Sequence, residues 1–145
     1  MSSSSWVRWA VSGALMAVIG LTVSSIVAFA LVQPPASNMG PVGSLSWYLI
    51  ESSDAIAEVG ILAALVGIHV RQSPSYGRLG TAGFIAAFVG TACFVLSTVI
   101  WLLTKTDGMF LGILFSSALL GWLVGFPLLG IATLRARVLP RWGGL

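Results

Sequence analysis

Four apolar stretches dominate this chain, and each is long enough to cross a lipid bilayer as a helix. They predict helices over about residues 6–32, 47–70, 79–103 and 109–134, where one crossing needs about 20 residues. Only 8% of the 145 residues are charged and the mean hydropathy is +1.01, whereas soluble domains carry about 25% charged residues. The sequence therefore predicts an all-α integral membrane protein, a single domain over residues 1–145 folded as a four-helix transmembrane bundle.

The first apolar stretch also resembles a secretory signal peptide. Ala28-Phe29-Ala30 has the small-residue pattern of a cleavage site. The apolar run before it is much longer than the core of a signal peptide, which is about 7–15 residues. We therefore expect the first helix to be retained as a membrane span.

The basic residues predict the orientation of the bundle. If the four helices alternate in direction, one side of the membrane receives Arg8, Arg71, Arg78, Arg135, Arg137 and Arg141, and the other receives Lys105 alone. The positive-inside rule then places both the N- and C-termini in the cytoplasm. No basic patch is interleaved with exposed aromatic residues, so the lipid bilayer is the expected partner and nucleic acid is not.

A weak repeat at an offset of 70 residues is compatible with tandem duplication of a helical hairpin. The matched residues are Arg8, Gly13, Ala17 and Gly20 with Arg78, Gly83, Ala87 and Gly90, and Gly60, Ile61 and Arg71 with Gly130, Ile131 and Arg141. Chance similarity between helices rich in glycine and alanine is the alternative. In a duplicated hairpin, positions 51, 54 and 58 would correspond to Gly121, Val124 and Leu128, so one hairpin would carry the polar site and the other would be its apolar partner.

The second apolar stretch carries a polar stripe. Glu51, Asp54 and Glu58 are three of the four acidic residues in the chain, and they fall within roughly 60° of one another on a helix. Ionisable groups at membrane depth usually face a bundle interior or a water-filled cavity. Three carboxyl groups this close cannot all stay charged in an apolar site, so we expect a shared acid–base site centred on Glu58, the deepest of them. Solvation by headgroup water is the alternative for Glu51 and Asp54.

Aromatic residues predicted to lie in the same half of the membrane are candidates for the wall of this site. They are Trp47, Tyr48, Trp101, Phe115 and Trp122, with Phe110 nearby. Aromatic faces stabilise cations within about 6 Å, which suits a lipophilic amine or a carbocation made by protonating an alkene or epoxide. An interfacial aromatic belt is the alternative for Trp47, Tyr48 and Trp101.

The sequence predicts neither a metal nor a cofactor. Cys93 is the only cysteine and His69 the only histidine, and the motifs HExxH, CxxC, GxSxG and the P-loop are absent. His69 is eleven residues from Glu58, about 16 Å along a helix, so we expect it at the membrane interface and not in a continuous proton relay.

Three functions fit these residues. The first is acid–base chemistry on, or binding of, a small lipophilic, isoprenoid-like substrate at Glu58, Asp54 and Glu51. The second is proton-coupled transport by a homo-oligomer. The third is a non-catalytic accessory or assembly subunit of a membrane complex, docked through pairs of small residues such as Gly13–Ala17 and Gly121–Gly125. Clustering of the acids on one half of one helix favours a pocket, and therefore the first.

Overall fold

The computed structural model describes residues 3–31, 41–106 and 108–136. Helix α1 is Ser3–Leu31, and a long helical segment, Leu45–Thr104, is divided by one non-helical residue, Gly77. Its two membrane-spanning parts are α2 (Leu45–Gln72) and α3 (Gly77–Thr104), and α4 is Met109–Ala136. All four helices are long and apolar enough to cross a membrane. The prediction of an all-α four-helix bundle in a multi-pass membrane protein is confirmed.

The connection between α2 and α3 is tighter than the loop predicted at 71–78. Only Gly77 departs from helical geometry, with φ 60° and ψ −161°, a conformation that glycine reaches without the strain imposed by a Cβ atom. Pro74 lies within the helical backbone just before it. The chain reverses at Gly77, so the register between α2 and α3 depends on this residue.

The other helix ends follow from local capping. The Ser44 side chain accepts a hydrogen bond from the Trp47 backbone N–H (3.2 Å) and begins α2 as an N-cap. Lys105, with φ 54°, ends α3 and donates its N–H to the Trp101 carbonyl (2.8 Å). The remainder of the predicted first loop at 32–40, the basic tail at 137–145 and Asp107 lie outside the described residues.

Small residues let the helices of each hairpin pack with their backbones in contact. A Cβ atom added to Gly13 would lie 2.6 Å from the Gly60 carbonyl oxygen, so α1 touches α2 there. A Cβ atom added to Gly121 would lie 2.6 Å from Gly90 Cα, which places α3 equally close to α4. The small-residue pairs are therefore used inside the bundle, where close approach favours association in lipid.

The two hairpins are not related by a constant offset of 70 residues. Gly60 packs on Ala17 in the first hairpin, and Gly125 packs on Ala87 in the second. Equivalent positions in α1 and α3 (Ala17 and Ala87) therefore differ by 70 in residue number, whereas equivalent positions in α2 and α4 (Gly60 and Gly125) differ by 65. Open space surrounds Gly130, the sequence match of Gly60. In this spatial register the acidic positions correspond to Ser116, Leu119 and Leu123, and the second hairpin still lacks the polar site. Duplication itself stays a prediction.

Helices α2 and α3 form the centre of the bundle, and α1 and α4 flank them without contacting each other in the described ranges. At the Gly77 end, Leu65, Ala87, Leu129 and Ala132 form a buried core between α2, α3 and α4. Near this core, the Thr133 hydroxyl donates to Gln72 Oε1 at 2.9 Å. The opposite end, where α2 begins and α3 ends, is called here the loop end. A cavity lies there.

Candidate functional site

The loop-end cavity has a volume of about 590 Å³ and lies mainly between α2, α3 and α4. Its lining from α2 is Glu51, Asp54, Ala57, Glu58 and Ile61, and the rest is Leu21, Phe94, Ser97, Thr98, Trp101, Gly108, Leu111, Gly112, Phe115 and Trp122. Ile61 also packs against the buried core, which closes the cavity towards the Gly77 end. Most of the wall is apolar, and the volume is within the range of small-molecule pockets, about 300–1,000 Å³.

Glu58 is held in this cavity by a hydrogen bond between helices. The Thr98 hydroxyl of α3 donates to Glu58 Oε1 at 3.1 Å. The other carboxyl oxygen, Oε2, is buried and has no hydrogen-bond partner among the described residues. The side chain is thus oriented through one of its two oxygens.

Glu51 and Asp54 lie in the same cavity, so the acidic stripe is brought together as predicted from its spacing. Only 7% of Glu51 is exposed, and it makes no hydrogen bond with any side chain that the structure describes. Asp54 is partly buried and has the Ser24 hydroxyl of α1 as its hydrogen-bonding neighbour. Among the residues that the structure describes, no lysine, arginine or histidine lines the cavity, so the nearest ionisable neighbours of these carboxyl groups are one another.

An aromatic cluster forms the α3–α4 wall. Phe94 lies 4.7 Å from Trp122 and 5.2 Å from Phe115 between ring centroids. Trp122 Nε1 donates to the Thr91 hydroxyl at 3.0 Å, and that hydroxyl donates to the Ala87 carbonyl at 2.8 Å. The predicted wall residues Phe115 and Trp122 therefore line the cavity in fixed positions.

Replacing Thr91 by valine is expected to destabilise the bundle by about 0.5–1.5 kcal/mol, because Trp122 Nε1 would lose its acceptor. Unfolding by sodium dodecyl sulfate (SDS) in mixed micelles measures this difference. Thr81→Val is the matched control, since the exposed Thr81 hydroxyl bonds only to the Gly77 carbonyl of its own segment. Equal stability of the two variants would contradict a stabilising hydrogen bond between Trp122 and Thr91.

The remaining predicted aromatic residues divide into two groups. Trp101 lines the cavity and its Nε1 is buried without a hydrogen-bond partner among the described residues. Trp47 is 1% exposed and packs on Trp101 and Tyr48, with centroid distances of 6.4 Å and 4.9 Å. The Lys105 ammonium group lies 5.2 Å from the Tyr48 ring centroid. Trp47 and Tyr48 thus support Trp101 from outside the cavity and do not line it.

Phe94, Ser97 and Thr98 also line the cavity and were not among the residues predicted from the sequence. Phe94, Thr98 and Trp101 are spaced by four and three residues, which places them on one face of α3. That spacing, ending at a tryptophan already selected, was the signal available. The identity of their partner on α2 was not available, because it depends on the register that Gly77 sets.

His69 lies away from the cavity, at the Gly77 end of α2. Its ring stacks on Phe84 of α3, with centroids 3.9 Å apart and an interplanar angle of 18°. Within the described ranges, no three side chains among histidine, cysteine, aspartate and glutamate come together as ligands for a metal ion.

The cavity therefore combines three carboxyl groups, of which Glu58 is oriented by Thr98, with an aromatic wall that includes the Trp101 indole, whose N–H has no partner among the described residues. These groups can exchange a proton with a bound molecule and hold its hydrocarbon part. No family model, curated protein or solved structure matches the chain.

Proposed function

We propose that this protein binds a small lipophilic, isoprenoid-like molecule in the loop-end cavity, with Glu58 acting on it as an acid or base. The observation that carries the proposal is the position of Glu58: the residue lines the cavity, Thr98 holds Oε1, and Oε2 has no hydrogen-bond partner among the described residues. A carboxyl group held through one oxygen can give or take a proton at the other once a bound molecule reaches it.

The cavity walls support a lipophilic substrate. Carbon surface from Phe94, Phe115, Trp122 and Leu111 surrounds the carboxyl groups, and such surface binds hydrocarbon by excluding water. Because the backbones of α1 and α4 do not pack against each other in the described ranges, we expect a molecule dissolved in the bilayer to enter the site between these two helices.

A simple reaction of this kind is the shift of a carbon–carbon double bond. Protonated Glu58 would add its proton to one alkene carbon, leaving a carbocation beside the aromatic rings, which stabilise it. A carboxylate of the site would then remove a proton from the neighbouring carbon, so that the double bond moves and no atom is gained or lost. Asp54 and Glu51 supply the second proton acceptor.

The buried core favours a closed binding pocket and argues against a continuous route across the membrane. Leu65, Ala87 and Leu129 form a buried apolar core towards the Gly77 end, and Ile61 packs against this core while it also lines the cavity. A proton-coupled transporter would need a continuous polar route in that direction, so this observation favours binding or catalysis.

A hydrophobic carbodiimide tests the proposal without knowledge of the natural substrate. Dicyclohexylcarbodiimide partitions into membranes and reacts with a protonated carboxyl group: the carboxyl oxygen adds to the central carbon, its proton moves to nitrogen, and rearrangement gives a stable N-acylurea. We expect Glu58 to be the main modified residue in proteoliposomes, with the site assigned by peptide mass spectrometry and by its loss in Glu58→Gln.

A matched pair of glycine variants shows whether the reagent reaches Glu58 through the cavity. Gly112 lines the cavity and Gly130 does not, yet both have open space around an added Cβ atom. Gly112→Phe should slow modification of Glu58 about tenfold or more, because the ring occupies the substrate volume. Gly130→Phe should leave the rate unchanged. Absence of modification at Glu58, or equal rates in the two variants, would refute the proposed function.

A further inference from the structure

We propose that the molecule held in the loop-end cavity is a lipophilic amine, bound beside Glu58 as an ammonium cation whose N–H group donates to Glu51. This inference rests on the proposed function and assigns the chemistry of the polar end of the ligand. It follows from the imbalance between hydrogen-bond acceptors and donors in the cavity.

Acceptors outnumber donors at the acidic face. The three carboxyl groups present six acceptor oxygens, but the donors they receive in the described structure are Thr98, on Glu58, and Ser24, on Asp54. The other hydroxyl group in the cavity, Ser97, donates to the Phe94 carbonyl of its own helix at 2.8 Å. Polar groups buried without a partner are costly, so the missing donors are expected to come from the bound molecule.

Glu51 is the second, independent indication of a ligand. It is more than nine-tenths buried, lines the cavity, and makes no hydrogen bond or ion pair with the residues that the structure describes. A buried carboxylate is normally paired with a cation. The described lysine nearest this end, Lys105, is exposed and lies over the Tyr48 ring. The counter-charge for Glu51 is therefore assigned to the ligand.

The aromatic wall suits the same chemistry. Trp101, Phe94 and Trp122 line the cavity together with Glu58, and ring faces attract a desolvated cation. Trp101 Nε1 has no hydrogen-bond acceptor among the described residues, and an oxygen near the nitrogen of the amine would provide one after a small shift of the ring. A neutral hydrocarbon satisfies neither the carboxyl oxygens nor this indole, and a carboxylic acid would add a fourth acidic group.

Protection of Glu58 from dicyclohexylcarbodiimide tests the inference in zwitterionic phosphatidylcholine proteoliposomes, where the lipid surface itself does not attract cations. The probes share one decyl chain: N,N-dimethyldecylamine, decanol, decyltrimethylammonium and decanoate. A tertiary amine is used because a primary amine would attack the activated carboxyl group. We expect N,N-dimethyldecylamine to halve the modification rate at about a tenfold lower membrane concentration than the other three, the difference between charged and neutral hydrogen bonding.

Two variants test whether the preference for the amine depends on Glu51. Glu51→Gln should reduce the preference for the amine while Glu58 is still modified, and Ser52→Ala, an exposed change next to it, should keep the preference. Equal protection by decanol, by decanoate or by the quaternary ammonium, which lacks an N–H group, would overturn the amine assignment and leave the proposed function standing. Failure of Glu58 to be modified at all would remove the proposed function and this inference together.

Discussion

Replacing Gly125 by alanine is expected to lower the free energy of unfolding by about 1–3 kcal/mol, the usual effect of forcing atoms into a packed interface. The added Cβ atom would collide with the Ala87 backbone nitrogen and Cα of α3. Backbone atoms cannot turn aside as a flexible side chain can, so α3 and α4 would have to separate.

Gly130→Ala is the control for this change. It lies on the same helix, faces open space, and gains the higher helix propensity of alanine. SDS unfolding in mixed micelles should give a lower midpoint for Gly125→Ala and an unchanged or higher midpoint for Gly130→Ala. The packing described for α3 and α4 would be incorrect if Gly125→Ala unfolded at the wild-type midpoint.

Replacing Glu51 by methionine is expected to have the opposite effect and raise the free energy of unfolding by about 1–3 kcal/mol. Glu51 as a whole residue is only 7% exposed, and its carboxyl group makes no hydrogen bond with the described side chains. Methionine has a similar length and removes the penalty for burying a polar group without a partner. Protein stability would therefore increase while the proposed binding of an amine weakens, a known conflict between stability and function.

In the same unfolding assay, Glu51→Gln distinguishes the effect on stability of burying a polar group from the effect of side-chain size. Glutamine keeps the size of glutamate and still buries a polar amide, so its gain in stability should be smaller than that of methionine. A methionine variant less stable than the wild type would show that Glu51 has a stabilising partner, and it would remove the argument for a ligand at that position.

The acidic stripe illustrates how far the sequence alone could predict the site. Glu51, Asp54 and Glu58 share a helix face because of the 3.6-residue period, and the high energy of charges in lipid predicts that this face is turned inwards. Both inferences use neighbours on one helix. They are enough to predict that the three acids lie together, and the structure places all three in the lining of one cavity.

The aromatic residues show where this reasoning stops. Trp47 and Trp101 both lie at the loop end of a membrane span, and the sequence offers no difference between them. In the structure, Trp47 is buried outside the cavity and Trp101 lines it, because each rotates with its own helix. Rotation of one helix against another is set by packing on all sides and not by local sequence.

The sequence by itself determined the class of protein, the number of membrane spans and the acidic face of α2, since these depend on hydropathy and helical period. Only the tertiary structure decided that Thr98 holds Glu58, 40 residues away in the chain, and that Glu51 is a buried residue with no hydrogen bond to the described side chains. Those properties follow from the reversal at Gly77 and from glycine contacts that bring the backbones together. They are sums of many contacts over long sequence separations, which no local pattern encodes.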